Sequence, residues 1–207
     1  MRIVITYSGA RYLVLGARPQ FGSDVDANLG TWNKNIPVLG YEHWLYSSTA
    51  KKLDGKVYRY ENGTAEFDTG SAYCYVDDDF VDHYYAKIPG FTRKLFGTIE
   101  YYMIPWEIGT GPKVELDIGG QMFTLRHTYL PGAKIHVIDK KSYRIGAIQS
   151  KKKLLGDAGN LPDIVGRVAL INMQLVLQMP DEAPHTISWR TKPTQFYGPA
   201  PIPWENV

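Results

Sequence analysis

The stretch FDTGSAYCYVDDDFVDHYYAKIPG, Phe67–Gly90, carries the strongest structural signals of the 207-residue chain. It begins with a tight turn, Asp-Thr-Gly-Ser at Asp68–Ser71, that lies between the strand-like segments GTAEF and AYCYV. Asp and Gly are ordinary turn residues, so the tetrapeptide alone is a weak signal. A loop between two strands, however, can present a carboxylate to backbone N–H groups and to the Ser71 hydroxyl, which would hold it ionised and oriented.

The second half of this stretch predicts a helix over Asp77–Lys87. Asp77 to Asp79 provide a cap and favourable charge at its N-terminal end, and Pro89-Gly90 stops it. Apolar and aromatic residues recur at helical spacing and predict one buried face: Phe80, Val81, Tyr84, Tyr85 and Ile88. The acidic run is therefore interpreted as a helix cap and not as a cation site.

The rest of the chain is rich in Gly, Pro and Tyr and predicts many short strands separated by turns. In ELDIGGQMFTL, Gly119-Gly120 predicts a two-residue hairpin connection. The predicted strands are Arg11–Leu15, Trp44–Ser47, Val57–Glu61, Ala72–Val76, Val114–Ile118, Met122–Arg126, Lys134–Ile138 and Val168–Leu177. We expect a mostly β domain over residues 1–191 with one clear helix, followed by a Pro-rich arm over residues 192–207.

Composition excludes several classes of function. Hydrophobic residues make up 44% of the chain and charged residues 21%, which is typical of a soluble globular protein. The net charge of +2 predicts neither a nucleic-acid partner nor a membrane partner, and the runs Lys140–Lys141 and Lys151–Lys153 are expected on solvated loops. The first residues lack the pattern of a signal peptide, and no apolar run is long enough to span a bilayer.

Neither a metal site nor a cofactor site is predicted. The single cysteine, Cys74, lies among apolar and aromatic residues and is expected to be a buried, inert thiol. The five histidines are scattered without a ligand-pair spacing, and the sequence contains no phosphate-binding loop, dinucleotide fingerprint or nucleophile elbow. Asp68 is therefore the remaining candidate for a catalytic residue.

The stretch Phe67–Gly90 resembles the catalytic loop and following helix in the C-terminal lobe of pepsin-like aspartic endopeptidases, particularly fungal ones. PKVELDIGGQMFTL resembles a hairpin of that family and IGAIQS one of its strands, and the match continues to about Arg190. The resemblance implies a single lobe of the pepsin-like acid protease fold, a closed or partly open β-barrel with one clear helix.

The family also has an apolar-apolar-Gly segment that crosses behind the catalytic loop. LPDIVGRVALINMQLVLQM is similar to this part of the family without any insertion, so the role is assigned to Ile164, Val165 and Gly166. The competing segment LLGD, Leu154–Asp157, is interpreted as a loop coincidence. With this assignment, Arg167 stands where the family has an aspartate.

The resemblance implies a role for each residue of the turn. Asp68 would be one member of a carboxylate pair, in which one acid activates a water and the other protonates the peptide carbonyl. Thr69 would make a hydrogen bond across the lobe interface, and Gly70 N–H and the Ser71 hydroxyl would donate to the outer carboxylate oxygen. The family carries two such lobes, whereas this sequence contains one Asp-Thr-Gly motif.

Two functions are therefore predicted in competition. The first is an aspartic endopeptidase that cleaves peptide or protein substrates at acidic pH as a homodimer or with a partner lobe. The second is a catalytically inactive lobe that binds peptides or proteins. The intact motif favours the first function. The second is favoured by Arg167, by Glu66 as a third acid near the pair, and by the lack of the family's N-terminal lobe, which carries a flap tyrosine over the cleft. The family is usually secreted or vacuolar, but the lack of a disulfide suits a reducing compartment equally well.

Overall fold

The computed structural model describes residues 2–7, 11–15, 32–40, 43–130, 132–156, 161–179 and 184–191. The protein is mostly β, as predicted. The chain divides into two compact units, one formed by Met1–Tyr46 with Leu170–Val207 and the other by Ser47–Ala169. The predicted Pro-rich arm, residues 192–207, lies outside the described residues.

The described residues form eighteen strands and three helices, where the sequence predicted one clear helix. The helices are α1 Asp78–Tyr85, α2 Lys151–Leu155 and α3 Arg167–Leu170. In chain order the strands are β1 Arg2–Tyr7, β2 Arg11–Leu15, β3 Ile36–Pro37, β4 Leu45–Ser47, β5 Ala50–Leu53, β6 Lys56–Arg59, β7 Thr64–Phe67, β8 Cys74–Val76, β9 Thr92–Phe96, β10 Ile99–Pro105, β11 Val114–Ile118, β12 Gln121–Leu125, β13 His136–Ile138, β14 Lys141–Ile145, β15 Ile148–Ser150, β16 Asp163–Val165, β17 Met173–Gln178 and β18 Thr186–Thr191.

The first unit contains one sheet with the strand order β2-β1-β17-β18-β3, in which every pair of neighbours is antiparallel. Apolar residues of β17 and β18 are buried, namely Leu175, Val176, Leu177, Ile187 and Trp189. Because β17 consists mainly of apolar residues and is paired on both sides, it forms the centre of this sheet.

The second unit contains three sheets. Two are antiparallel, with the orders β13-β14-β10-β9 and β12-β11-β5-β6. The third is mixed, and its strands within this unit have the order β15-β8-β16-β7. In this mixed sheet β16 runs parallel to β7 and antiparallel to β8, and β15 runs parallel to β8. All residues of β8, β15 and β16 are buried.

Two local predictions are confirmed. Helix α1 buries Phe80, Val81, Tyr84 and Tyr85 on one face, as the helical spacing predicted. The hairpin of β11 and β12 turns at Gly119 and Gly120, whose φ angles of 60° and 86° are those that glycine adopts without a steric penalty. These features depend on short stretches of sequence and need no distant partner.

Other local predictions are wrong. Val168–Leu177 was expected to form one strand, but its first residues belong to the short helix α3 and the strand begins at Met173. Leu154 and Leu155 lie in helix α2 and not in a loop, while Asp157 lies outside the described residues. Asp77 does occupy the N-cap position of α1, yet its side chain makes no capping hydrogen bond. No helix in the described part of the chain is long and apolar enough to cross a membrane.

Candidate functional site

The Asp68 turn connects β7 to β8, and β16 lies between these two strands. Val165 of β16 pairs with Phe67 at the end of β7, and Ile164 pairs with Tyr75 of β8. The turn therefore passes over the carboxyl end of β16. Consequently Ile164, Val165 and Gly166, which the sequence proposed as the segment behind the turn, are brought directly against it.

Backbone hydrogen bonds tie the turn to this segment. Asp68 N–H donates to the carbonyl oxygen of Val165 over 3.2 Å, and Arg167 N–H donates to the carbonyl oxygen of Ser71 over 2.8 Å. Val168 N–H donates to the carbonyl oxygen of Ala72 over 3.1 Å. Because these hydrogen bonds connect both ends of the turn to the segment, the position of residues 68–72 depends on that of residues 165–168.

Gly166 allows the turn and the segment to approach each other closely. A β-carbon added at this residue would lie 2.1 Å from the carbonyl oxygen of Tyr73 and 2.7 Å from that of Ser71. Both are backbone atoms, which cannot rotate away as the end of a long side chain can. Any residue larger than glycine would therefore push the turn off its support.

The Asp68 carboxylate accepts a hydrogen bond at each oxygen. Gly70 N–H donates to Oδ1 over 2.7 Å, and the Ser71 hydroxyl donates to Oδ2 over 2.6 Å. The sequence interpretation had both donors on the same oxygen, so the structure distributes them differently. Asp68 and Ser71 are half-buried, whereas Thr69 and Gly70 are exposed. The carboxylate is thus fixed in orientation by uncharged donors, and the tip of the turn faces outward.

Two residues beside the turn, Glu66 and Arg167, depart from the pepsin-like pattern. Glu66 is half-buried and alternates with the buried Ala65 and Phe67, so it projects from the opposite face of β7. Arg167, next to the turn, has its Nε atom buried without a hydrogen-bond partner in the part of the chain that is described. Burial raises the pKa of Tyr73 to about 12, and the positive charge of Arg167 opposes this shift.

A cluster of four charges, here called the ion quartet, lies at the other end of the same strands. It consists of Lys51, Asp77, Lys151 and Asp163. The Nζ atom of Lys51 lies 2.7 Å from Asp77 Oδ2 and 2.6 Å from Asp163 Oδ2. The Nζ atom of Lys151 lies 2.7 Å from Asp77 Oδ1 and 3.1 Å from Asp163 Oδ1. Each lysine therefore bridges both carboxylates.

The ion quartet is largely buried, although not evenly. The side chains of Lys51 and Asp163 are 3% and 5% exposed, whereas those of Lys151 and Asp77 are 19% and 28% exposed. Lys51 Nζ also lies 3.5 Å from the centroid of the Tyr60 ring, a cation–π contact. All four members line a cleft of about 440 Å³ together with Tyr60, Thr64 and other residues that are mostly polar.

The two carboxyl groups of the ion quartet have pKa values shifted in opposite directions. For Asp163 the cost of burial dominates and raises the pKa above its ordinary value of 3.8, against the pull of Lys51. For Asp77 burial acts in the same sense, but the charge of Lys51 and the hydrogen bond from Lys151 outweigh it and lower the pKa. The more exposed acid is therefore the one that the lysines hold firmly as a carboxylate.

Sequence reasoning missed the ion quartet. It placed Lys151 on a solvated loop and treated Asp77 only as a helix cap, and both interpretations are wrong for these side chains. The available signals were a lysine within the strand segment AKKL and an aspartate opening the apolar run DIV. Such residues indicate that a charge is buried but do not identify its partner.

Cys74 is fully buried, as expected, and burial raises the pKa of its thiol to about 12, so it remains protonated. Among the described residues, no group of three or more His, Cys, Asp or Glu side chains could hold a metal ion.

No protein-family model matches the chain, and no curated protein matches its sequence. The assignment of function therefore depends on the geometry of the Asp68 turn.

Proposed function

We propose that the Asp68 turn is one half of the active site of an aspartic-type peptide hydrolase, carried on a single pepsin-like lobe. The observation that supports this most directly is the carboxylate of Asp68, which accepts from Gly70 N–H and from the Ser71 hydroxyl above the end of β16. A turn held in this way keeps both carboxylate oxygens in defined directions without neutralising them by a cation.

The reaction requires two carboxyl groups. Asp68, as a carboxylate, takes a proton from a water molecule whose oxygen adds to the peptide carbonyl carbon, while a second, protonated carboxyl donates its proton to the carbonyl oxygen. Collapse of the tetrahedral intermediate breaks the C–N bond: Asp68 passes its proton to the departing nitrogen, and the second carboxylate takes a proton from a hydroxyl of the intermediate, which restores both acids. Two carboxyl groups in close contact share one proton, because both cannot be ionised at the same time.

The second carboxyl group is proposed to come from a polypeptide outside these 207 residues, since the sequence contains one Asp-Thr-Gly motif. A second copy of the chain is the simplest source, because a twofold axis beside the turn would set Asp68 opposite its own copy. The exposure of Thr69 and Gly70 at the tip is consistent with such a contact. We expect a dimer by light scattering at micromolar concentration.

The direct test is cleavage of an unstructured protein substrate between pH 3 and 6, comparing the wild type with Asp68→Asn. We expect the replacement to abolish cleavage, since an amide cannot accept the proton of the water. The matched control is Asp139→Asn, the same chemical change at an exposed turn residue with a φ of 49°, which asparagine tolerates. It should leave the rate unchanged.

The competing function, a lobe that binds peptides without cleaving them, predicts a different result. In that case neither the wild type nor Asp68→Asn cleaves the substrate at any pH in this range. A wild-type protein that cleaves no substrate in this range would overturn the proposed hydrolase, and a monomer would overturn a second copy of the chain as the source of the second carboxyl group.

A further inference from the structure

We infer that the ion quartet positions Asp68 by fixing the register of β16, so that Lys51 and Lys151 are positioning residues for the turn. The catalytic part of this inference rests on the proposed function, but its structural part does not. β16 is a very short strand, and different contacts hold its two ends.

β16 has only three residues, Asp163–Val165, which pair with β7 along their whole length and with β8 at Ile164. A slip of one residue would turn every side chain of the strand to the opposite face. The turn requires one register, because Asp68 N–H bonds to the carbonyl oxygen of Val165 and Gly166 must lie beneath Tyr73. Contacts at the beginning of the strand that oppose such a slip therefore also hold the turn.

The ion quartet holds the beginning of the strand. Asp163 is the first residue of β16, and each of its carboxylate oxygens contacts a different lysine, Lys51 or Lys151. Lys151 also donates to the carbonyl oxygen of Leu161 over 3.0 Å. Three contacts therefore converge on residues 161–163. Val165 lies only two steps along the extended chain, about 7 Å, from Asp163.

The lysines are themselves anchored on other elements. Lys51 belongs to β5 of the neighbouring antiparallel sheet, and Lys151 begins α2 directly after β15. Asp77, between β8 and α1, contacts both lysines and completes the arrangement. The ion quartet thus fixes the start of β16 relative to three other parts of the second unit: β5, the start of α2 and the segment between β8 and α1. A slip of β16 would separate Asp163 from both lysines and leave buried charges unpaired, at a high cost in free energy.

The test uses amide hydrogen exchange measured residue by residue in the whole chain. In the double variant Lys51→Met/Asp163→Val, the buried pair becomes apolar, while Asp77 and Lys151 can still pair. We expect exchange at the amides of Asp68, Arg167 and Val168 to accelerate by about tenfold or more relative to the amides of β9 and β10, which belong to another sheet. With the hydrolase active, kcat should fall while KM is retained.

The matched control is Lys87→Met, which removes a pair of similar length, 2.8 Å from Lys87 Nζ to Asp54 Oδ2, whose side chains are 47% and 42% exposed. It should not change exchange at the turn. If the double variant does not fold, Lys151→Met takes its place and is measured in the same way. This variant should still fold, because Lys51 continues to bridge Asp77 and Asp163. We expect it to accelerate exchange at the turn by about threefold.

A uniform rise of exchange across all sheets, or no rise at the turn, would overturn the inference, because the quartet would then contribute stability without positioning. A wild-type chain that cleaves no peptide bond would overturn the proposed function alone. In that event a local rise of exchange at the turn would still support positioning by the ion quartet.

Discussion

Asp68 and Asp163 lie near opposite ends of one three-residue strand and have very different environments. Asp68 is half-buried and receives hydrogen bonds from uncharged donors, Gly70 N–H and the Ser71 hydroxyl. Asp163 is 4% exposed and is bridged by two lysines. The two aspartates thus belong to the same sheet, yet one is oriented and accessible while the other is enclosed by opposite charge.

This difference separates two uses of a carboxylate. Uncharged donors orient a carboxylate without placing a positive charge beside it. Two lysine contacts instead hold a carboxylate in one place, and removing either lysine leaves the buried cluster with more negative than positive charge. The arrangement around Asp68 suits a reacting group, whereas the arrangement around Asp163 suits a group that holds the fold together. Three substitutions test this distinction.

The largest effect is expected from Lys51→Ala. The lysine side chain is 3% exposed, and its loss leaves Asp163 buried with Lys151 as its remaining cation. Breaking a buried pair by removing one partner costs about 3–5 kcal/mol of the free energy of unfolding. Urea denaturation would measure this loss.

The matched control for this substitution is Lys87→Ala, which breaks an exposed pair with Asp54. Exposed pairs contribute less than about 1 kcal/mol, so its midpoint should hardly move. Equal losses in the two variants would show that burial does not distinguish Asp163 from a surface carboxylate.

A smaller loss is expected from Gly166→Ala. The added methyl group would meet two backbone carbonyl oxygens of the turn, at 2.1 Å and 2.7 Å, so either the turn or β16 must shift. Overpacking of this kind costs about 1–3 kcal/mol, and we expect hydrolysis to be lost with it. Thermal denaturation and the cleavage assay would be measured together on the same samples.

Gly109→Ala serves as the control for that change, since a β-carbon there meets nothing within 4 Å. It should alter the free energy of unfolding by less than about 0.5 kcal/mol. If both alanine variants behave alike, the close approach beneath the turn is not required.

The smallest effect on stability is expected from Ser71→Ala. It removes the hydroxyl that donates to Asp68 Oδ2 but leaves the Gly70 N–H bond to Oδ1. The loss of one hydrogen bond at a half-buried site costs about 0.5–1.5 kcal/mol, whereas hydrolysis should fall more strongly because the carboxylate loses its orientation.

Ser71→Thr keeps the hydroxyl and should restore most of the cleavage rate. Should Ser71→Ala cleave as fast as the wild type, the hydroxyl has no part in orienting Asp68. A loss of stability as large as that of Lys51→Ala would remove the distinction between the two aspartates.

The local elements were predictable from sequence. The apolar face of α1 and the Gly119-Gly120 connection follow from residue spacing and from the conformational freedom of glycine, which act within a few residues. The Asp68 turn was likewise recognisable as a loop between two strands. Long-range placement was harder, and Val168–Leu177 failed as a single strand because α3 precedes β17.

The ion quartet could not be predicted, because each member has a common local explanation. Lys151 stands in a run of lysines, and Asp77 stands at a helix start where acidic residues are frequent. Their pairing arises only when β5, β16 and the starts of α1 and α2 come together. No spacing rule connects residues so far apart along the chain.

The sequence by itself determined the mostly β character, the helix α1, the hairpin and the Asp-Thr-Gly-Ser turn, because each depends on interactions between near neighbours in the chain. Only the tertiary structure decided that β16 lies beneath Asp68, that the two carboxylate oxygens of Asp68 have separate donors, and that one buried and one partly exposed lysine hold the start of the strand. The physical reason is that hydrogen bonding and charge pairing act through space, over distances that the chain covers only by folding.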